Sequence, residues 1–234
     1  MDCQAFVERL FETLITGSRP ASRQLVAEAR AAGLGPRDMI SEVFWPTYEL
    51  AERLFRADQL GTLSHHLATR LLRVLVDQNA AQLAPGAARR RSIFAICGAQ
   101  DADDLGAQMA VDVLEAEGFE VTFAGGGVPS DEVLARVNEE QPDVLLMFAS
   151  RPQDLPELRQ LIDTLREIGA TSSMQIAVGG GVFNRAEGLA EEIGADVWAS
   201  TPLEMAERLV TEPERRAPAT QRTVGRKRQQ SRAA

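Results

Sequence analysis

The chain has 234 residues with 44% apolar side chains, enough for one large domain or two small ones around a substantial core. The net charge of −9 argues against direct nucleic-acid binding, because phosphates require a basic surface. The sequence has neither a signal-peptide pattern nor an apolar run long enough to span a bilayer, so we expect a cytoplasmic protein without membrane contact.

The first part of the chain has the spacing of an all-helical unit. Phe6, Leu10 and Leu14 recur every four residues, which places them on one helix face. Pro46 interrupts a later apolar run and predicts a kink or a restart, since proline removes a helical hydrogen bond. The periodicity predicts a helical bundle over residues 1–84, with helices at 2–16, 21–32, 36–45, 47–57 and 62–82.

After a small and charged linker at 85–91, strand and helix patterns alternate. The strands are predicted at 92–96, 120–123, 144–148, 175–178 and 197–199, and the helices at 107–117, from Ser130 onward, 155–167, 186–193 and 203–210. This alternation over residues 92–211 predicts a doubly wound five-stranded parallel sheet of flavodoxin or Rossmann-like type. The predicted fold class is therefore α/β behind an N-terminal all-α bundle. Residues 212–234 are polar and basic, which predicts a disordered tail.

A carboxylate-rich loop is predicted between the first strand and its helix, with Asp101, Asp103 and Asp104 between Gly98 and Gly106. We expect one of these aspartates to cap the helix, but capping does not easily explain all three. Loops at the carboxyl ends of parallel strands line the ligand crevice of such sheets. Glycine triplets at 125–127 and 179–181 end later strands, yet neither matches the dinucleotide fingerprint, and the sequence has no P-loop.

Several segments together match the pattern of one family. Asp101 to Gly106 reads Asp-Ala-Asp-Asp-Leu-Gly where that family has Asp/Glu-x-His-x-x-Gly. Residues 121–129 end in Gly-x-x-Val-Pro, and residues 142–150 and 176–184 look like its third- and fourth-strand segments. Residues 55–69 look like its Trp-x9-Glu-His cap. Over residues 5–210 the chain resembles the cobalamin-binding modules of corrinoid methyltransferases and of light-sensing cobalamin regulators, including the photocobilins.

The sequence departs from this family at ligand-facing positions. Asp103 occupies the place of the cobalt-ligating histidine, and a carboxylate is a poor substitute for imidazole on cobalt(III). Phe148 occupies the place of a serine at the third strand end, where its ring would fill part of a deep slot, while Ser150 matches the following Ser/Thr position. In the cap, Phe55 replaces the tryptophan and His65 replaces the glutamate.

His66 matches the cap histidine, so the resemblance implies that it lies over the upper face of the ligand. A neutral imidazole can ligate a metal, and neighbouring residues diverge by about 100° on a helix, so only one of His65 and His66 can face one centre. We expect His66 to be the metal ligand. The cofactor-binding residues implied by the resemblance are Phe55, His65, His66, Asp101, Asp103, Leu105, Gly106, Gly126, Val128, Phe148, Ser150, Gly179, Gly180 and Phe183.

The resemblance implies a tetrapyrrole-binding sensory or regulatory module, with a photoreceptor as the leading interpretation. The expected cofactor is cobalamin, as adenosylcobalamin or hydroxocobalamin. The alternatives are a descendant that binds biliverdin or haem, alone or together with cobalamin, a ligand-free interaction module, and the corrinoid shuttle of a methyltransferase system. The sequence has no nucleophile–base pair and no metal-spaced Cys/His set, so we do not predict an enzyme. We expect homo-oligomers formed through the bundle, and an effector domain or protein that receives the signal, as in transcription regulation.

Overall fold

The computed structural model describes residues 3–170 and 173–217, with the backbone alone for Asp101. Its first part is a helical bundle whose apolar stripes face inward, with Leu10, Leu14, Phe44 and Leu72 almost fully buried. The bundle consists of α1 (Cys3–Ile15), α2 (Arg19–Ala31), α3 (Pro36–Asp38), a π-helical turn (Met39–Phe44), α4 (Trp45–Arg56) and α5 (Thr62–Ala80).

The second part is a five-stranded sheet, parallel throughout, with the order β2-β1-β3-β4-β5. Its strands are β1 (Ser92–Cys97), β2 (Glu120–Gly126), β3 (Val144–Phe148), β4 (Gln175–Gly179) and β5 (Val197–Ala199). This arrangement confirms the predicted α/β fold class. The chain direction across the sheet reverses between β1 and β3, and in such folds a crevice opens at this point beyond the carboxyl ends of the strands.

The helices of the second part cover both faces of the sheet, as parallel sheets require. They are α6 (Asp101–Ala116), α7 (Ser130–Glu140), a 3-10 turn (Pro152–Asp154), α8 (Leu155–Glu167), α9 (Gly181–Arg185), α10 (Leu189–Ile193) and α11 (Pro202–Thr211). One core cluster joins the bundle, α6 and α11 to the first face, and another joins α7 and α8 to the second. The bundle therefore meets the sheet through α6.

Helix α6 begins at Asp101 rather than at the predicted Ala107, so the carboxylates lie in its first turn and not in a loop. Acidic side chains are stabilised there by the positive end of the helix dipole. The residue that precedes the helix is Gln100, and its side chain forms no capping bond. The prediction that an aspartate caps this helix was therefore wrong.

Two further predicted elements differ in detail. Pro46 lies in the first turn of α4, where its missing N–H costs little, and a π-helical turn leads directly into that helix. The helix predicted at 186–193 is instead the pair α9 and α10, with Gly188 in a left-handed conformation (φ 79°) just before α10.

The start of the predicted tail is bound to the sheet. Gln175 Nε2 donates to the carbonyls of Glu212 and Arg215, and the Ala217 amide donates to Asp196 Oδ1. Residues 212–217 therefore differ from the loose tail that their composition predicts, because buried side chains of the sheet satisfy their backbone. Residues 218–234 lie outside the described residues. Within the described part of the chain, no helix combines the length and apolarity needed to cross a membrane.

Candidate functional site

A cleft of about 350 Å³ lies between the bundle and the carboxyl edge of the sheet. Residues from α4 and α5 form its roof, and residues that follow β1 and β3 form its floor together with the first turn of α6. It lies where the chain direction across the sheet reverses between β1 and β3, which is where ligands bind in sheets of this strand order. Among the residues predicted from the sequence, the cleft brings together Phe55, His65, His66, Asp103 and Ser150.

The floor of the cleft holds buried polar atoms that no protein group satisfies. Asp103 is 2% exposed, and neither of its carboxylate oxygens has a hydrogen-bond partner. Arg151 Nε is also buried without a partner, as is Oδ2 of Asp154, which lies just outside the cleft. Arg151 Nη2 lies 3.2 Å from Asp154 Oδ1. Each such atom costs roughly 1–3 kcal/mol. A ligand that supplies the missing partners would therefore be stabilised here.

Gly98, at the end of β1, provides the space into which these carboxylates point. A Cβ atom at this position would lie 2.5 Å from Asp103 Oδ2 and 3.1 Å from Asp154 Oδ2. Burial raises the pKa of Asp103, the nearby Ser150 hydroxyl, which is not within hydrogen-bonding geometry, offsets this in part, and the charge of Asp154 raises the pKa further. Asp103 therefore takes up a proton more readily than an exposed aspartate.

The roof carries a buried pair formed by Glu52 and His65. His65 Nε2 lies 2.5 Å from Glu52 Oε1, and the His65 ring stacks on Phe55 with the ring centroids 4.0 Å apart. Arg56 Nη1 lies 3.6 Å from Glu52 Oε2. His66 is exposed at the rim, with its ring centroid 6.2 Å from that of His65. The two histidines thus occupy different settings, one fixed in the roof and one accessible.

Two predicted residues, Phe148 and Val128, line a separate slot of about 100 Å³ between the strand ends and α7 and α8. The Phe148 ring packs against β4, since a Cβ atom at Gly179 would lie 2.9 Å from it. The phenyl ring therefore occupies part of the space between the ends of β3 and β4.

Two of the predicted glycines are explained by close backbone packing. A Cβ atom at Gly126 would lie 2.2 Å from the Gly98 carbonyl oxygen. Gly180 has φ 104°, and a Cβ atom there would lie 2.3 Å from the Ala149 carbonyl oxygen. A side chain at either position would push neighbouring strand ends apart, so these glycines hold the edge of the sheet in shape.

The remaining predicted residues lie in the core or in the joint between the two parts. Leu105 and Phe183 are buried among apolar side chains. Gly106 lies under Tyr48, whose hydroxyl would be 2.9 Å from an added Cβ atom. Asp101 is the first residue of α6.

The sequence pattern did not point to Glu52 or Thr69 as cleft residues, or to Asp154, which lines the adjoining slot. Glu52 is joined to His65 only because α4 packs on α5, a contact that no local spacing reveals. The sequence held one weak indication that Glu52 is paired, since Glu52 and Arg56 are four residues apart and therefore share a helix face.

Two family models match the chain. One B12 binding domain model matches residues 91–207, which is the sheet part, and a second B12 binding domain model matches residues 7–78 in the bundle. The chain belongs to the B12-binding family.

Relatives of this B12-binding protein include dimethylamine corrinoid protein 3 of Methanosarcina acetivorans, which is 24% identical over 87% of this chain and 94% of that protein. Dimethylamine corrinoid protein 1 of the same organism is 30% identical over 44% of this chain and 48% of that protein. The structure of the Methanosarcina barkeri monomethylamine corrinoid protein aligns with a TM-score of 0.67 at 20% identity, over 87% of this chain and 96% of that one. This structural likeness supports the fold.

The cleft of this B12-binding protein fits the periphery of a corrinoid. A corrin ring carries amide side chains, whose N–H groups could satisfy the free oxygens of Asp103 and Asp154, and whose carbonyls could accept from Arg151 Nε. The stacked rings of Phe55 and His65 offer a flat surface on the opposite side. The donors and acceptors that lack partners are therefore of the kind that this cofactor complements.

Proposed function

We propose that the chain binds cobalamin in this cleft and acts as a sensory module of the photoreceptor type. The observation that carries the binding proposal is the cluster of buried, unpartnered atoms on Asp103, Asp154 and Arg151, in a chain of the B12-binding family. When bound, cobalamin supplies a cobalt–carbon bond that light or ligand exchange can break. The protein groups would hold the cofactor and would respond to a change in it.

The chain has no imidazole at the position where the family pattern has its cobalt ligand, so the cofactor's own base would be free to take that role. Asp103 stands where the family pattern has a histidine, and its carboxylate is a hard ligand whose pKa is raised by burial. It is better suited to accept hydrogen bonds from ligand amides than to bind cobalt. Of the two histidines, His66 would hold the metal, because it is accessible while His65 is held by Glu52.

The place of the cleft supports a sensory role, since a ligand there contacts both the bundle and the sheet. Arg73 of α5 pairs with Asp104 of α6 at 2.7 Å, and Tyr48 of α4 rests on Gly106 of α6. A change in the cobalt ligand would shift this joint and so change the outer surface of the bundle. That surface would carry homo-oligomer contacts or bind an effector.

A corrinoid carrier in methyl transfer is the second candidate, and the names of the dimethylamine and monomethylamine corrinoid proteins favour it. The aspartate at position 103 argues against it, because the resemblance implies that such shuttles use a histidine there. A carrier would hold methylcobalamin without a light-dependent change in assembly.

Gel filtration followed by ultraviolet–visible spectroscopy tests these roles. The protein is incubated with adenosylcobalamin, hydroxocobalamin, methylcobalamin, haemin or biliverdin and then separated from free ligand. We expect adenosylcobalamin to be retained, and light to change both its spectrum and the elution volume of the protein. Retention of methylcobalamin without a change in elution on illumination favours the carrier. Retention of biliverdin or haemin alone indicates another tetrapyrrole, and loss of every ligand refutes cobalamin binding.

A pair of variants tests the upper ligand. His66→Ala should change the spectrum of bound hydroxocobalamin, because the imidazole that reaches the cobalt is removed. Arg70→Ala, an exposed position one turn further along α5, is the matched control and should leave the spectrum unchanged. An unchanged spectrum for His66→Ala would remove this residue from the site.

A further inference from the structure

A second cavity, of about 200 Å³, lies beside the cleft between α4 and α9. Three arginines line it: Arg53 and Arg56 from α4, and Arg185 from the end of α9. It shares the Arg56 and Ser150 walls with the cleft. The concentration of positive side chains is unexpected in a chain whose net charge is −9.

Arg185 is held in this cavity by the backbone. Its Nη2 atom donates to the Ser150 carbonyl at 2.5 Å. Gly181 leaves the room that the guanidinium needs, since a Cβ atom there would lie 2.7 Å from Nη1. Burial lowers the pKa of Arg185, and the nearby charge of Arg56 lowers it further. An anion bound between Arg56 and Arg185 would offset both the burial of the Arg185 guanidinium and its repulsion by Arg56.

The acidic residues of the cavity do not neutralise it. Glu52 is already engaged by His65 at 2.5 Å and by Arg56 at 3.6 Å. Burial raises the pKa of Glu49, which opposes its negative charge, while Arg53 and Arg56 lower that pKa. The wall also contains the Trp45 indole N–H, which is buried without a partner. The cavity thus offers more donors than its own acceptors can use.

We propose that this second cavity binds an anionic group, a phosphate or a carboxylate, between Arg56 and Arg185. Guanidinium groups suit this role because they bind such oxygens in a bidentate fashion. The anion has two possible sources: the nucleotide phosphate of a cobalamin in the adjoining cleft, or a separate small anion. The first source rests on the proposed function, and the second does not.

Calorimetric titration of the full chain distinguishes the sources. The probes are cyanocobalamin, dicyanocobinamide (which lacks the nucleotide and its phosphate) and inorganic phosphate. Arg185→Gln and Arg56→Gln each remove one guanidinium, and Arg136→Gln on the exposed face of α7 is the control. If the cofactor phosphate is the anion, both variants lose about 10-fold in cyanocobalamin affinity and keep their dicyanocobinamide affinity. If the anion is separate, phosphate binding weakens by about 10-fold and both corrinoid affinities are kept.

The proposal is overturned if both variants match Arg136→Gln in all three titrations. Thermal unfolding is recorded for each variant, since Arg185 also bonds the Ser150 carbonyl. Arg56→Gln keeps the bond between Arg185 and the Ser150 carbonyl. If Arg185→Gln is unstable, the titrations of Arg56→Gln alone therefore test the proposal. If the unsubstituted chain binds phosphate but no corrinoid, the proposed function fails and the anion site stands. If the unsubstituted chain binds neither phosphate nor a corrinoid, both the proposed function and the anion site are refuted.

Discussion

Replacing Asp103 with asparagine should stabilise the free protein and lower its affinity for cobalamin. The Asp103 side chain is 2% exposed with both oxygens unpartnered, and burial raises its pKa. Because the folded-state pKa lies above the unfolded one, stability is lost as the pH rises through the folded-state pKa. Asparagine keeps the shape and carries no charge. We expect a gain of about 1–2 kcal/mol in the free energy of unfolding at pH 8, within the cost of an unsatisfied buried group.

Urea unfolding of the free protein at pH 8 and pH 4 measures this gain. The gain should shrink at pH 4, where the aspartate is more fully protonated. Asp163→Asn, a 47% exposed side chain on α8, is the matched control and should change little. Cobalamin affinity of Asp103→Asn should fall by about 10-fold, since one charged acceptor is lost. A variant that is less stable than wild type at pH 8, or that binds cobalamin equally well, would refute this reasoning.

Two other predictions concern the framework of the site. Burial raises the pKa of Asp112 to about 6, with a partly opposing hydrogen bond from Gln108. The free energy of unfolding should therefore fall by about 2–3 kcal/mol as the pH rises through 6. Asp112→Asn should remove most of this pH dependence, measured by urea unfolding at a series of pH values. An unchanged pH dependence would show that Asp112 is not its source. Gly126→Ala should lower the free energy of unfolding by about 2 kcal/mol or more, because its Cβ atom would lie 2.2 Å from the Gly98 carbonyl oxygen. Gly61→Ala, which has no neighbour within 4 Å, should have little effect, and equal losses for both would count against the packing explanation.

The architecture was predictable because each element carries its own periodic signal. The buried strand at 144–148 is a continuous apolar run, and its position matches β3 residue for residue. The start of α6 was misplaced because Asp101 and Asp103 favour turns in short-range statistics, whereas the dipole of a long helix also accepts them in its first turn.

The site was predictable only where the family pattern marks it. Phe55, His65 and Asp103 do meet in one cleft. Glu52 could not be predicted, because its importance comes from a contact between α4 and α5. The unpartnered state of the Asp103 carboxylate was equally hidden, since it depends on what every surrounding element leaves unsatisfied.

The most direct test of the central claim is electron paramagnetic resonance of the His66→Ala protein, loaded with cobalamin, reduced to cobalt(II) and labelled with ¹⁵N at its remaining histidine. The account predicts retained cofactor with a ¹⁴N triplet splitting, because the axial nitrogen comes from the cofactor's own base. When Asp103→His is added to this variant, the spectrum should show a ¹⁵N doublet from the new histidine. A ¹⁵N doublet in His66→Ala alone, or a chain that retains no cobalamin, would contradict the account.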